Sequence, residues 1–311
     1  MTHPAQLPFA YAVNQFTTTG WSFDDDVAHC TDAGIGVIEV CQDKLDPDPH
    51  RAAAQLERAV GSGLSISSVQ ASVRAMFPSA GQPRPTDHRQ RLDAFEQCVQ
   101  LVAPYAPDAV FVTNTGPAPA GNMAEAIRQN IVDHRELADV ATDHGVRIGL
   151  EPLNPVSLNQ ETAIWTLQQG LDLIREVNRE NVGICFDTWN LWQNPDLLGA
   201  IADAGDRLFL LQVSDWRTPR SGADRRSVGD GEIPTGRLLH ALYDAGYRGP
   251  CVLEILSDGV PDPVSDGDLD EVLRVNRAAL ERAWAEDLTN ESNVFAPTGS
   301  RGTGFRESRG R

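Results

Sequence analysis

Apolar residues along this chain fall into short runs, many with β-branched members. Each run is followed by a longer stretch with helical spacing. Short apolar runs suit strands buried on both faces, and the longer stretches suit amphipathic helices. Read in this way, strands are predicted at Phe9–Gln15, Val37–Gln42, Leu64–Ser72, Ala109–Asn114, Arg147–Glu151, Val182–Asp187, Leu208–Asp215 and Cys251–Leu256. Helices are expected at about Asp24–Ala33, Pro49–Val60, Asp87–Val102 and a segment ending near His144. Four more follow: Glu161–Val177, a short helix opened by Pro195, Pro234–Ala245 and Leu269–Ala285. Gly34 follows the first helix as its natural stop. Eight strands alternating with eight helices imply parallel strands joined by right-handed crossovers. Eight such units close into a single-domain (β/α)8 TIM barrel, here over residues 1–289. No glycine-rich phosphate fingerprint follows any strand, which weighs against a nucleotide-binding sheet. Residues 290–311 are rich in Gly, Ser and Arg, lack periodicity, and are expected to form a disordered tail.

Four successive strands end on polar residues: Glu151, Asp187, Gln212 and Glu254. One such residue is readily explained as a cap for the next turn. Four at equivalent places are much harder to explain as four independent caps. In a closed barrel the strand C-termini surround one cavity, so these side chains are expected to converge there. Three carboxylates brought together repel one another unless a cation lies between them. Gln212 adds a neutral carbonyl oxygen. An all-oxygen set favours a hard divalent ion, with Mn²⁺ the first choice and Mg²⁺ or Co²⁺ the alternatives.

Other residues carry weaker signals. Arg217, after the seventh strand, is a candidate for holding a substrate oxygen. Gln70 is expected to face the cavity, and Trp189 to line a wall suited to sugar stacking. Asp215 reads as structural, Arg225 and Arg226 as surface-loop residues. His144 falls at the opposite, stability-related end of the barrel.

The segments Leu-Glu-Pro-Leu-Asn (150–154), Phe-Asp-Thr-Trp-Asn (186–190), Gln-Val-Ser-Asp-Trp (212–216), Gly-Asp-Gly-Glu-Ile-Pro (229–234) and Gly-Tyr-Arg-Gly-Pro-Cys-Val-Leu-Glu-Ile (246–255) occur in this order. This series resembles the sugar phosphate isomerase/epimerase family of the xylose isomerase-like TIM-barrel superfamily, over about residues 9–285. The resemblance implies that Glu151, Asp187, Gln212 and Glu254 are metal ligands and that Glu151 and Glu254 also move protons. Gln212 stands where most members have histidine, and dehydroshikimate dehydratase-like members resemble this chain in using glutamine there. Asn190 replaces the histidine of the usual Phe-Asp-Thr-x-His pattern and is placed among the substrate contacts. The implied activity is a divalent-metal-dependent isomerase or epimerase acting on a keto-sugar or related polyol through an enediolate. A lyase of the same family is the close alternative: a dehydratase of the dehydroshikimate or inosose type, or a β-eliminating deglycosidase of 3-keto-glycosides.

Charge narrows the partners. The 311 residues hold 26 Lys and Arg against 44 Asp and Glu, a net −18. Such a balance disfavours nucleic acid, and with it a repair nuclease on the same fold, which needs a basic groove and several metal-binding histidines. The expected partner is a small sugar or polyol, with a homo-oligomer or partner-subunit role left open. A non-catalytic barrel is the remote alternative. The five cysteines are widely spaced with no C-x-x-C pair and read as small buried hydrophobes. Neither a secretory leader nor a membrane-spanning run is seen, so a cytoplasmic enzyme is expected.

Overall fold

A computed structural model describes residues 3–217 and 223–287. The strands are β1 (Tyr11–Asn14), β2 (Val37–Cys41), β3 (Ser65–Ala75), β4 (Val110–Asn114), β5 (Arg147–Leu150), β6 (Val182–Asp187), β7 (Leu208–Val213), β8 (Asp215–Trp216), β9 (Arg225–Arg226) and β10 (Cys251–Leu253). β1 to β7 and β10 form a closed parallel barrel, in which Tyr11 to Val13 pair with Cys251 to Leu253 to complete the ring. β8 and β9 form a separate antiparallel ribbon above the mouth-ward ends of β7 and β10. Helices α1 (Phe23–Asp32), α2 (Pro49–Gly61), α3 (His88–Val102), α4 (Met123–Asp143), α5 (Leu167–Val177), α6 (Thr188–Leu191), α7 (Leu197–Ala204), α8 (Thr235–Asp244) and α9 (Leu269–Asp287) occupy the intervals. Among the described residues no helix is long and apolar enough to cross a membrane.

Local chemistry sets most boundaries. Ser22 and Asp25 form a reciprocal capping box at the start of α1, and Asp48 caps α2 ahead of Pro49. The helix expected from Glu161 begins instead at Leu167, because Thr166 and Gln169 form a second capping box. The residues before it make bridges from Thr162 to Gly116 and Leu158. The last strand is shorter than expected, so Glu254 lies just beyond it and donates its backbone N–H to Val213. The tail at 290–311 falls outside the described residues.

Side chains alternate across a strand, and that period places the site. Ala12, Val110, Val112, Cys185, Leu210 and Val252 pack together as an apolar cluster inside the barrel. Two residues further on, the same inward face carries Asn14, Asn114, Asp187, Gln212 and Glu254. Gly149 belongs to the inner layer too: a Cβ there would lie 2.6 Å from Val110 Cγ1 and 3.5 Å from Cys185 Cβ. Glu151, two residues later, therefore points the same way. A packed apolar floor thus supports a polar layer at the C-terminal mouth. A hollow of about 450 Å³ lined by Asp108, Arg147, Phe209 and Tyr247 lies at the other end, where the strands begin.

Candidate active site

The polar layer takes a residue from every barrel strand: Asn14, Glu39, Gln70, Asn114, Asp187 and Gln212, with Glu151 and Glu254 immediately after theirs. All eight are buried. Glu151, Asp187 and Glu254 each bring an oxygen to within 4.8 Å of the others. Isolated buried carboxylates are very costly, so each of these should be well supplied with donors. That is observed. Glu151 accepts from Asn190 Nδ2 at 2.8 Å and Asn114 Nδ2 at 3.2 Å. Asp187 Oδ1 accepts the Asn190 backbone N–H at 3.1 Å, and Glu254 Oε1 accepts from Asn14 Nδ2 at 2.8 Å and Gln212 Nε2 at 3.1 Å.

The remaining oxygens meet a guanidinium. Arg225 Nη1 donates to Asp187 Oδ2 at 2.6 Å and to Glu254 Oε2 at 2.5 Å. Burial works against its charge, yet Asp187, Glu254 and Glu151 together hold Arg225 above its ordinary value. The guanidinium carbon also sits 5.1 Å from the centroid of the Trp189 ring. Asp224 fixes that ring and its neighbour, accepting from Trp189 Nε1 at 2.9 Å and Trp216 Nε1 at 3.0 Å.

Beneath the cluster lies Glu39, fully buried. It accepts from Gln70 Nε2 at 2.9 Å and from Gln212 Nε2 at 3.1 and 3.0 Å. Burial pushes Glu39 up to about 7 despite these donors. Burial and the neighbouring Asp187 charge push Glu151 up to about 7, with Arg225 opposing. Burial also raises Glu254 well above the usual carboxylate range. Groups titrating near neutrality at a barrel mouth suit proton transfer.

Several expected residues take different parts here. Gln212 reaches the layer, but its carbonyl oxygen accepts from Cys185 Sγ at 3.0 Å while its amide nitrogen faces the acids. Exchanging the two ends of the amide would turn that oxygen towards the cluster. Arg217 is half exposed and pairs with Asp230 and Asp262, away from the three carboxylates. The site arginine is Arg225, which the sequence had suggested was a surface-loop residue. In a strand, consecutive side chains point opposite ways. Hence Arg225 turns in to the acids, while Arg226 turns out to Asp230 and Asp262. Asn190 and Trp189 are buried as supports for Glu151 and Arg225. Gln70 holds Glu39, and among the described residues its own Oε1 is buried with no partner. Asn14, Glu39 and Asn114 join the site without having been singled out: Asn14 and Asn114 end β1 and β4, whereas Glu39 lies in the middle of β2.

Asp215 is structural, as expected. Its two oxygens accept the backbone N–H groups of Trp216, Gly229, Gly231 and Ile233, shaping the loop that carries Arg225 and Arg226 back to α8. Gly231 is required there, since a Cβ would sit 2.1 Å from the Trp216 carbonyl oxygen. Asp215→Ala strands these donors, each costing on the order of 1–3 kcal/mol where water cannot reach it. The expected result is a melting temperature lower by roughly 5–10 °C. A drop below about 1 °C in calorimetry would mean that water replaces the carboxylate.

A profile of the family described as xylose isomerase-like TIM barrel matches residues 27–283. A ketose 3-epimerase of Arthrobacter globiformis is 30% identical over 162 residues, 51% of this chain and 50% of that protein. A 3-dehydroshikimate dehydratase of Pseudomonas aeruginosa is 27% identical over 179 residues, 55% of this chain and 27% of its own length. The chain thus spans half or less of the length of these curated relatives. The crystal structure of IOLI protein with a binding zinc atom aligns with a TM-score of 0.74 at 18% identity, covering 89% of this chain and 98% of that one. At that identity the likeness speaks to the fold alone.

Proposed function

The chain belongs to the xylose isomerase-like TIM barrel family, and from that premise we propose a divalent-metal-dependent isomerase or epimerase acting on a keto-sugar or related polyol. The observation that carries this reading is the convergence of Glu151, Asp187 and Glu254 at the barrel mouth. Three clustered carboxylates demand a cation, a place that Arg225 takes in this structure and that a divalent ion would take with twice the charge. The donor set is all oxygen, so a hard ion fits it, with Mn²⁺ preferred to Mg²⁺ or Co²⁺. Glu151, Asp187 and Glu254 would hold the ion, joined by Gln212 once its amide turns. When bound, the ion supplies positive charge to the oxygen of a carbonyl whose neighbouring C–H is losing its proton.

Glu151 and Glu254 are the candidate bases, because they flank the cluster and titrate above the ordinary carboxylate range. Either carboxylate removes the proton from the carbon beside the carbonyl. A proton delivered to the opposite face of the same carbon by the other carboxylate gives epimerisation. One delivered to the former carbonyl carbon, with the neighbouring hydroxyl proton passing to the former carbonyl oxygen, gives isomerisation. Asn190 and Asn114 orient Glu151, and Asn14 orients Glu254. A second reading, elimination of water or another β-substituent after the same proton loss, draws on Gln212 at the third ligand position. The dehydratase likeness points the same way.

Incubation with Mn²⁺ and a panel of ketoses and keto-polyols in D₂O tests both. Deuterium at the carbon beside the carbonyl, abolished by EDTA, is the expected result, and a released water or β-substituent would identify the lyase. A protein loaded with one ion that neither exchanges nor converts any member of the panel would defeat the reading in favour of a non-catalytic barrel.

A further inference from the structure

We infer that Arg225 is an internal counter-ion which a divalent metal must displace, so that loading the site is an exchange of one cation for another. The inference rests on the metal-binding reading above. Every oxygen of the three acids already has a partner. Both oxygens of Glu151 are held by asparagine amides, Asp187 Oδ1 by a backbone N–H, and Glu254 Oε1 by two side-chain amides. Those donors are fixed on the barrel or on the turn after β6. The two oxygens that belong to a movable partner are Asp187 Oδ2 and Glu254 Oε2, and Arg225 Nη1 bridges both.

A divalent ion bonded to that pair of oxygens and a guanidinium bonded to the same pair would be two cations within a few ångströms in a site screened from water. Their repulsion is strong where the effective dielectric is low. One of them leaves. Arg225 can do so because its ribbon is tied down by main-chain contacts, such as its own N–H to Leu256 O, while the side chain is long and flexible. Without the ion, the guanidinium keeps three buried carboxylates compatible with folding. On loading, it also leaves the face of Trp189, whose indole stays fixed by Asp224.

The test uses the full chain stripped of metal, with Mn²⁺ alone as the probe. Mn²⁺ is titrated into wild type and into Arg225→Gln by calorimetry while tryptophan fluorescence is recorded. In wild type, one ion should bind and fluorescence should change to saturation at one equivalent. Arg225→Gln should bind Mn²⁺ at least tenfold more tightly and lose most of that fluorescence change. Its metal-free form should melt below wild type, and saturating Mn²⁺ should close the gap. One ion bound by wild type together with equal or weaker binding by the variant overturns the exchange and leaves the metal reading intact. No ion bound by either overturns both. Should the variant fail to fold, a crystal structure of Mn²⁺-loaded wild type decides. Arg225 parted from Asp187 and Glu254 supports the exchange, and Arg225 still bridging them ends it.

Discussion

Glu254→Gln and Glu151→Gln should each lower turnover by roughly 10²–10⁴-fold, the range expected for loss of a general base. Each substitution keeps an oxygen for a metal and nearly the same volume, but it removes the electron pair that takes the proton. Folding should survive, because neutralising one of three clustered acids relieves repulsion and burial cost together. The two variants are not equivalent. Glu254 is bonded to Arg225, Asn14 and Gln212, so an amide there disturbs several partners. Glu151 takes one asparagine amide on each oxygen, so an amide there keeps one of these bonds and sets its own NH2 against the other donor. The expected signature is a fall in kcat with Mn²⁺ affinity changed by much less, read by steady-state kinetics on whichever ketose exchanges deuterium, with calorimetry alongside. If one variant loses turnover and the other keeps it, a single glutamate moves the proton. Full turnover by both would remove the carboxylates from the chemistry altogether.

The barrel and its acids were legible because two periodicities, the strand and the helix, govern nearly the whole chain. The alternation of strands and helices gave the closed ring, and the parity of each strand put Glu151, Asp187, Gln212 and Glu254 on one face. The same parity also points to Asn14 and Asn114, yet asparagine at a strand end is common, and Glu39 sits in the middle of β2, where no strand-end signal marks it. Arg225 was hidden for a different reason. β9 is two residues long and stands in a loop, so no periodic pattern surrounds it. Its burial follows from a demand of the site, since three buried carboxylates need a cation, and Arg225 and Arg226 are the basic pair closest in sequence before the Gly-Asp-Gly turn. The orientation of Gln212 was out of reach too, because it depends on Cys185 and Glu39, which approach from other strands.

Freed of divalent ions, the protein should become more stable as pH falls from about 8 to about 5. Burial pushes both Glu39 and Glu151 up to about 7, from an ordinary value of 4.5. A group whose pKa is higher in the folded state than in the unfolded chain binds its proton more readily when folded. Its stabilising contribution is complete below the unfolded value and disappears as pH rises through the folded one. The window is therefore about 4.5 to 7, and stability declines as pH climbs across it. One such group contributes roughly 3 kcal/mol over the full window, a change in melting temperature on the order of 5–10 °C. The exposed acids that arginines hold below the usual carboxylate range, such as Asp139 and Glu271, act in the opposite sense. Their effect falls below that window and is weakened by solvent. A bound divalent ion should cancel or reverse the trend by favouring ionised carboxylates. Calorimetric melts at closely spaced pH values, once with EDTA and once with saturating Mn²⁺, give both curves. A metal-free melting temperature that is flat or rising between pH 5 and 8 would show that neither Glu39 nor Glu151 takes up its proton near neutrality.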